Sequence, residues 1–355
     1  MTMQKMFANL FGSIGRELLS FYRSEKFYFV LGAMAIGAII PLFVSDYVVG
    51  EVLTPMIIFT IYASSWNLLA YSGQGSLGHA AFLGIGGFAS ALLAIKLGVP
   101  PIFCLFLGSL FSAAIGLLIG LACVRLKAWF LAMVTFGFSV IIVTLISQFD
   151  TVIGGIMGFP TPLLVERGLA FYYMTFALAA LSIFAMYLLM KSKMGLAFRA
   201  IHENELEAKM IGINTAKYRL LAFVLSTFFA GLAGGLYAQS IRYIQVSVFD
   251  AYYSFLPLMM VVIGGLRTME GPIIGSVIIV SIESYLPRID PIMQGLMGPL
   301  FPSVSNVGPP LRMLSLGLFL VIVVVFLPKG VSSLLYKIRN YFREETKEVN
   351  KLEGN

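Results

Sequence analysis

Apolar runs of membrane-crossing length recur along this chain near 27 to 44, 52 to 71, 77 to 95, 100 to 124, 129 to 148, 169 to 190, 219 to 241, 252 to 266, 271 to 287 and 311 to 327. A helix needs roughly 20 mostly apolar residues to cross a bilayer, and lipid admits only helices or closed barrels because it cannot satisfy a bare backbone. The runs therefore predict an all-α, polytopic membrane helix bundle of about ten spans. Composition agrees, since 12% of residues are charged where a soluble domain carries roughly 25%. The run 77 to 95 is glycine-rich, and 252 to 266 and 271 to 287 are short and joined by Arg267-Thr-Met-Glu270. These three read as half-helices or re-entrant segments.

With ten spans, 19 of the 24 Lys and Arg fall on the side of the termini and 5 on the other. Positive charge is retained in the cytoplasm, so both termini are predicted to be cytoplasmic. The same bias explains the net charge of +7 through anionic lipid, with no call for nucleic acid. Residues 1 to 26 read as a cytoplasmic amphipathic N-terminal segment without a cleavable signal, 27 to 330 as the transmembrane domain and 331 to 355 as a cytoplasmic charged tail. The external stretch 288 to 310, with Pro291, Pro299, Pro302, Pro309 and Pro310, reads as a constrained loop. Cys104 and Cys123 sit 19 residues apart on one run, about 28 Å of helical rise, which is beyond disulfide reach.

Polar groups are few. The stretch from Tyr71 to Phe88 sets Gln74, Ser76 and His79 among six glycines beside a span. Its Gly73-Gln-Gly-Ser-Leu-Gly78 satisfies the dinucleotide-binding pattern by letter but lacks the preceding strand. A broken or tightly packed helix start fits better. His79 is either a functional group of the path or a neutral histidine satisfied by a neighbour, and Asn67 either a path residue or an interhelical bond. Gly264 and Gly265, with Pro272, mark a second helix-breaking region. Two such interruptions in two halves of a transporter point to a midplane path, so Asn67, Gln74, Ser76, His79, Gly264 and Gly265 are the substrate-path candidates. The pairs Gly116 and Gly120, Gly231 and Gly235, and Gly271 and Gly275 predict close helix packing within the chain rather than a dimer face. Glu283 lies in an apolar run, with Arg288 as its candidate partner.

Several functions are excluded. Two histidines, His79 and His202, cannot assemble a metal centre or a catalytic base, so no metal and no enzyme are expected. A secondary transporter normally buries acidic residues for its coupling ion, and apart from Glu283 the spans hold almost none. A channel needs a lined filter.

The internal segment richest in charge runs from 191 to 218, longer than the roughly 2 to 8 residues of a simple turn between helices. Apolar and charged residues alternate along it at helical spacing, and Gly212 followed by Asn214 predicts a helix stop. One or two amphipathic helices on the cytoplasmic surface are expected.

This segment, with Tyr218-Arg-Leu-Leu-Ala-Phe223 and Phe229-Ala-Gly-Leu-Ala-Gly-Gly-Leu-Tyr237 after it, resembles the coupling loop and following helix of the branched-chain amino-acid permeases of ABC transporters. The stretch Asn67 to Phe82, Gly154-Gly-Ile-Met-Gly-Phe-Pro160, Val261 to Gly275 and Phe326-Leu-Pro-Lys-Gly330 are similar to further motifs of that family, in its order. The sequence around Arg125 to Thr135 favours the M-type of its two permease subunits. The resemblance implies a permease importing branched-chain amino acids from a substrate-binding protein, with relatives for urea or short amides as the alternative. It also implies two ABC ATPase subunits and a second, related permease in a bacterial or archaeal inner membrane. ATP and Mg would sit on the partner subunits, because no Gly-x-x-x-x-Gly-Lys-Ser/Thr loop occurs here. Arg199, Ala200, Glu203, Glu207 and Gly212 would then contact the ATPase. The chain departs from the family at Arg267, where many relatives carry glycine, and at Val140, where many carry an acidic residue.

Overall fold

A computed structural model describes residues 32, 35–123, 126, 128–148, 155, 157–161, 165, 168–285, 308–327 and 330–333. The segment 1 to 26, residues 27 to 31, 33 and 34 of the first run, residues 286 to 307 with Arg288, and the tail beyond Ser333 lie outside the described residues. Six described helices are long and apolar enough to cross a membrane: α1 (Asp46–Tyr71), α2 (His79–Leu97), α3 (Pro101–Cys123), α4 (its run Trp129–Ser147), α5 (Leu169–Lys191) and α8 (Thr215–Ile241). Between α5 and α8 lie two short helices, α6 (Lys193–Glu203) and α7 (Glu205–Met210). The hairpin α9 (Ala251–Gly264) and α10 (Gly271–Tyr285) follows, and then α11 (Gly308–Phe326). The helix α1 starts six residues before the apolar run that predicts it, because Asp46 to Leu53 continue the span as an α-turn and a π-turn.

Helix α8 is the hub and packs against α1, α2 and α3. Small residues let it do so. A methyl group on Gly234 would strike the Leu83 carbonyl of α2, one on Gly86 would strike the backbone of Gly231, and one on Gly231 would lie 2.6 Å from Ser112 Cβ of α3. In lipid there is no hydrophobic drive between helices, so approach this close supplies the dispersion contact that holds them. The paired glycines act within the chain as predicted: Gly116 and Gly120 of α3 face Thr227, Leu220 and Phe223 of α8, while Gly271 and Gly275 of α10 face Gly265 and Met260 across the hairpin.

Hydroxyl groups add polar bonds to the same junctions. Ser112 Oγ lies 3.0 Å from both the Phe82 and Thr227 carbonyl oxygens, Ser226 donates to Ser65 O at 2.7 Å, and Tyr62 donates to Tyr253 O at 2.9 Å. Around them Tyr62, Phe82, Phe198 and Phe223 are fully buried. A second apolar cluster, including Ile85, Phe88, Ile244 and Phe249, fills the end of the bundle away from α6 and α7. There Phe159 and Pro160 pair antiparallel with Ile244 and Tyr243 just beyond α8, and Thr161 donates to Ala238 O at 2.8 Å. Phe159, Pro160 and Thr161 thus clamp the end of the hub helix.

Candidate translocation and coupling site

Both predicted interruptions exist as breaks between helices, but α2 after the first break is 19 residues long and of spanning length rather than the half-helix its glycines suggest, while α9 and α10 are short as expected. Helix α1 stops at Tyr71, residues 72 to 78 turn back into the bundle, and α2 starts at His79 beside Ser65. Ser65 lies six residues before Tyr71, so the new helix begins about 9 Å inside the end of α1. Gly73 makes the reversal with φ of +73°, a left-handed conformation that glycine adopts without strain. The fold-back is held by side chains: Trp66 Nε1 donates to Ser76 O at 2.8 Å, and Gln74 Nε2 donates to Ser72 Oγ at 2.8 Å and Arg219 O at 3.0 Å.

His79 is fully buried, its ring stacked on Tyr62 with centroids 5.2 Å apart. Its Nε2 lies 2.9 Å from Ser65 Oγ, and Ser65 itself donates to Tyr62 O at 2.7 Å. One hydroxyl proton cannot serve both bonds, so Nε2 carries the proton that His79 gives to Ser65. Among the described residues, His79 Nδ1 and Ser76 Oγ have no hydrogen-bond partner.

The second interruption separates α9 from α10. Gly265 has φ of +134° and Arg267 φ of +58°, and Thr268 Oγ1 bonds both Gly265 O and Gly271 N. The left-handed backbone at Arg267 is one that glycine adopts without strain. Asn67 of α1 joins the two breaks: its Nδ2 donates to Thr268 O at 2.7 Å, and its Oδ1 accepts from Arg267 N at 2.8 Å. Gly264 packs against Gly271, and Gly265 against Ser332. In this conformation each of the six path candidates is bonded to or packed against other parts of the bundle, and Asn67 alone of them borders a described cavity. That cavity is small, about 20 Å³ between α1, α5 and α10.

The surface helices pack directly on this region. Ser192 and Asn204 cap α6 and α7 with their side chains, and Asn204 Nδ2 bonds Glu207 Oε1 at 2.7 Å. Gly212, with φ of +86°, closes α7 as the sequence predicts: its N–H bonds Lys209 O, and Ile213 N bonds Ala208 O. This pair of bonds is a Schellman stop. Arg199 donates to Met190 O at 2.7 Å and so caps α5. Among the described residues Glu205 holds two ion pairs here, 2.8 Å from Lys209 and 3.1 Å from Arg219 at the start of α8. The bond from Lys209, with Arg219 beside it and burial opposing, holds the Glu205 carboxyl below the usual carboxylate range. His202 ends α6 against the first break, its Nδ1 3.1 Å from where a Gly73 side chain would begin. Burial, aided by the Arg267 charge and opposed by Glu203, pushes the His202 imidazole below its ordinary value.

The sequence reading expects an apolar face on this segment but names only Ala200 from it among the contact residues. Leu196, Leu206, Met210 and Ile211 are 61, 70, 79 and 74% exposed, beside exposed Arg199, Glu203 and Glu207. Ala200 is only partly exposed. Large apolar side chains standing in the most polar segment of a membrane chain were the available signal.

The order of these parts along the chain matches a known family model. Residues 48–326 match the model described as branched-chain amino acid transport system, permease component. The chain belongs to that permease family. Among curated relatives of this permease is the high-affinity branched-chain amino acid transport system permease protein LivM of Salmonella typhimurium. It is 29% identical over 283 residues, which is 71% of this chain and 66% of LivM, so the match spans just under two thirds of that protein. The probable branched-chain amino acid transport permease protein LivH of Methanocaldococcus jannaschii is 29% identical over 223 residues, 57% of this chain and 68% of LivH. The guanosine ABC transporter permease protein NupQ of Bacillus subtilis is 36% identical over 70 residues, 20% of this chain and 22% of NupQ. No solved structure matches the permease. Together with its apolar helices, membership makes the chain a multi-pass membrane protein.

Proposed function

We propose that this chain is a transmembrane subunit of an ATP-driven importer that moves branched-chain amino acids delivered by a substrate-binding protein. The observation that carries the reading is the family match over 48–326, which spans both interruptions and the surface helices between them. Two ATPase subunits bind ATP and Mg, and a second, related permease completes the pore. The chain sits in a bacterial or archaeal inner membrane with its termini and the segment 191 to 218 in the cytoplasm, and contributes transport rather than catalysis. Ten spans remain our reading of the topology.

The geometry supports a division of labour. The exposed Leu196, Leu206, Met210 and Ile211 give an ATPase an apolar contact, and Arg199, Glu203 and Glu207 fix its register. Movement of α6 reaches the first break through His202 and Gly73, and Asn67 carries it to the second. The conformation described is a closed one, with the breaks bonded to each other. Rearrangement of the bonded set opens the path.

Purification of the chain from its native membrane in mild detergent, with mass spectrometry of what accompanies it, tests the assembly. Recovery of two ATP-binding subunits and a second permease is expected. The chain alone, with uptake surviving ATP depletion, would contradict the proposal.

A further inference from the structure

Helix α7 is six residues long, too short to hold itself in water. Its first side chain anchors it. Glu205 Oε1 lies 2.8 Å from Lys209 Nζ and accepts from Thr215 Oγ1 at 3.3 Å, and Oε2 lies 3.1 Å from Arg219 Nη1. Thr215 and Arg219 are the first and fifth residues of α8, a spacing that sets both on one face of that helix. A carboxylate is also favoured at this end of a helix, where the peptide dipoles leave positive charge. Thr215 is buried and the Arg219 side chain is 12% exposed, so the contact is drier than an ordinary surface pair.

The same first turn of α8 holds the first break. Arg219 O accepts from Gln74 Nε2 at 3.0 Å, and that amide also donates to Ser72 Oγ at 2.8 Å. Gln74 and Ser72 are buried. Arg219 therefore has its side chain on α7 and its carbonyl on the fold-back. Helix α6 reaches the neighbouring Gly73 directly through His202, so the two surface helices end on adjacent residues of one reversal by different routes.

We infer that Glu205 is a positioning residue of the import cycle: through Arg219 it ties α7 to the first turn of α8, and that turn, through Gln74, sets the fold-back at residues 72 to 78. The inference deepens the import proposal and rests on it for the force that moves α7. A displaced α7 either carries the first turn of α8 with it or leaves Arg219 and Glu205 unpaired, so the link transmits movement for as long as the bonds hold.

The test uses the complete transporter carrying Glu205→Gln, Arg219→Gln or both. In proteoliposomes ATP hydrolysis should be unchanged while leucine moved per ATP falls about threefold in each single variant. The double variant should fall no further, because residues that act as one link lose it once. Hydrogen exchange of residues 72 to 78 reads the link without transport, and Glu205→Gln should quicken it about twofold. Glu205 is 35% exposed, so its variant carries the test if Arg219→Gln fails to assemble. Unchanged leucine per ATP, additive losses, or unchanged exchange at 72 to 78 would overturn the inference, as would hydrolysis and uptake falling in parallel, the mark of a merely structural loss. Quickened exchange in Glu205→Gln, with no ATP-driven leucine uptake by the wild type, removes the import reading and keeps the link between α7 and the break.

Discussion

Asn67 pairs with the peptide of Arg267 and Thr268 as a neighbouring backbone would, accepting from one residue and donating to the next at 2.8 and 2.7 Å. Four residues further along its own helix the chain breaks, so one amide side chain links both interruptions of the bundle. Replacing it should be felt at both. We expect Asn67→Ala to lower stability by about 1 to 2 kcal/mol, since two buried backbone groups lose their partner. Asn67→Asp, which keeps the acceptor alone, should fall between. Unfolding of the purified protein in a graded detergent mixture reads both values, and wild-type stability in Asn67→Ala would refute the staple.

Arg267 has a left-handed backbone without being glycine. Relief of that strain, roughly 1 kcal/mol, is partly offset by the greater freedom of glycine when unfolded. Arg267→Gly should therefore be neutral or slightly stabilising, and Arg267→Val destabilising. Thermal stability in the order Gly, Arg, Val is the expected outcome.

Glu205 and His202 both have lowered proton affinity in the fold. A group of this kind adds stability above its unfolded value and loses it as pH falls through the folded one. Docking of α6 should weaken as pH drops below the ordinary histidine value of 6.5, and docking of α7 below the ordinary glutamate value of 4.5. Glu205 is 35% exposed, so the effect of Glu205→Gln is about 0.5 kcal/mol and shrinks in salt. Hydrogen exchange across 193 to 219 against pH measures both. Faster exchange at high rather than low pH, after correction for intrinsic rates, would reverse the sign argued here.

The exposed Leu206 and Met210 make no contribution to the core. Leu206→Glu or Met210→Glu should leave abundance and folding unchanged yet reduce ATP-driven uptake at least about tenfold, because a charge is desolvated against the ATPase. Unchanged uptake in both would remove this face from the coupling contact.

Much of this was legible in the sequence because membrane physics leaves few choices. Apolar runs gave the helices, Gly73 and Gly264 marked real breaks, and Gly212 marked a real helix stop. Depth was not legible: nothing local shows that residues 72 to 78 fold back until His79 meets Ser65. Partners distant in sequence were equally hidden. Asn67 reads as either a path residue or a bond until Thr268, 201 positions away, is seen beside it. The bonds of Arg199 to the carbonyl of Met190 and of Glu205 to Arg219 likewise join residues that no local pattern pairs. A cavity of about 330 Å³ draws residues from four helices, α1, α8, α9 and α10, and no stretch of chain spells it.

The most direct measurement is leucine uptake into proteoliposomes that hold the full complex, with ATP sealed inside and the binding protein outside. Accumulation that requires ATP, the binding protein and this chain is the expected result. Uptake that proceeds without ATP, or is unchanged when this chain is left out, would contradict the account.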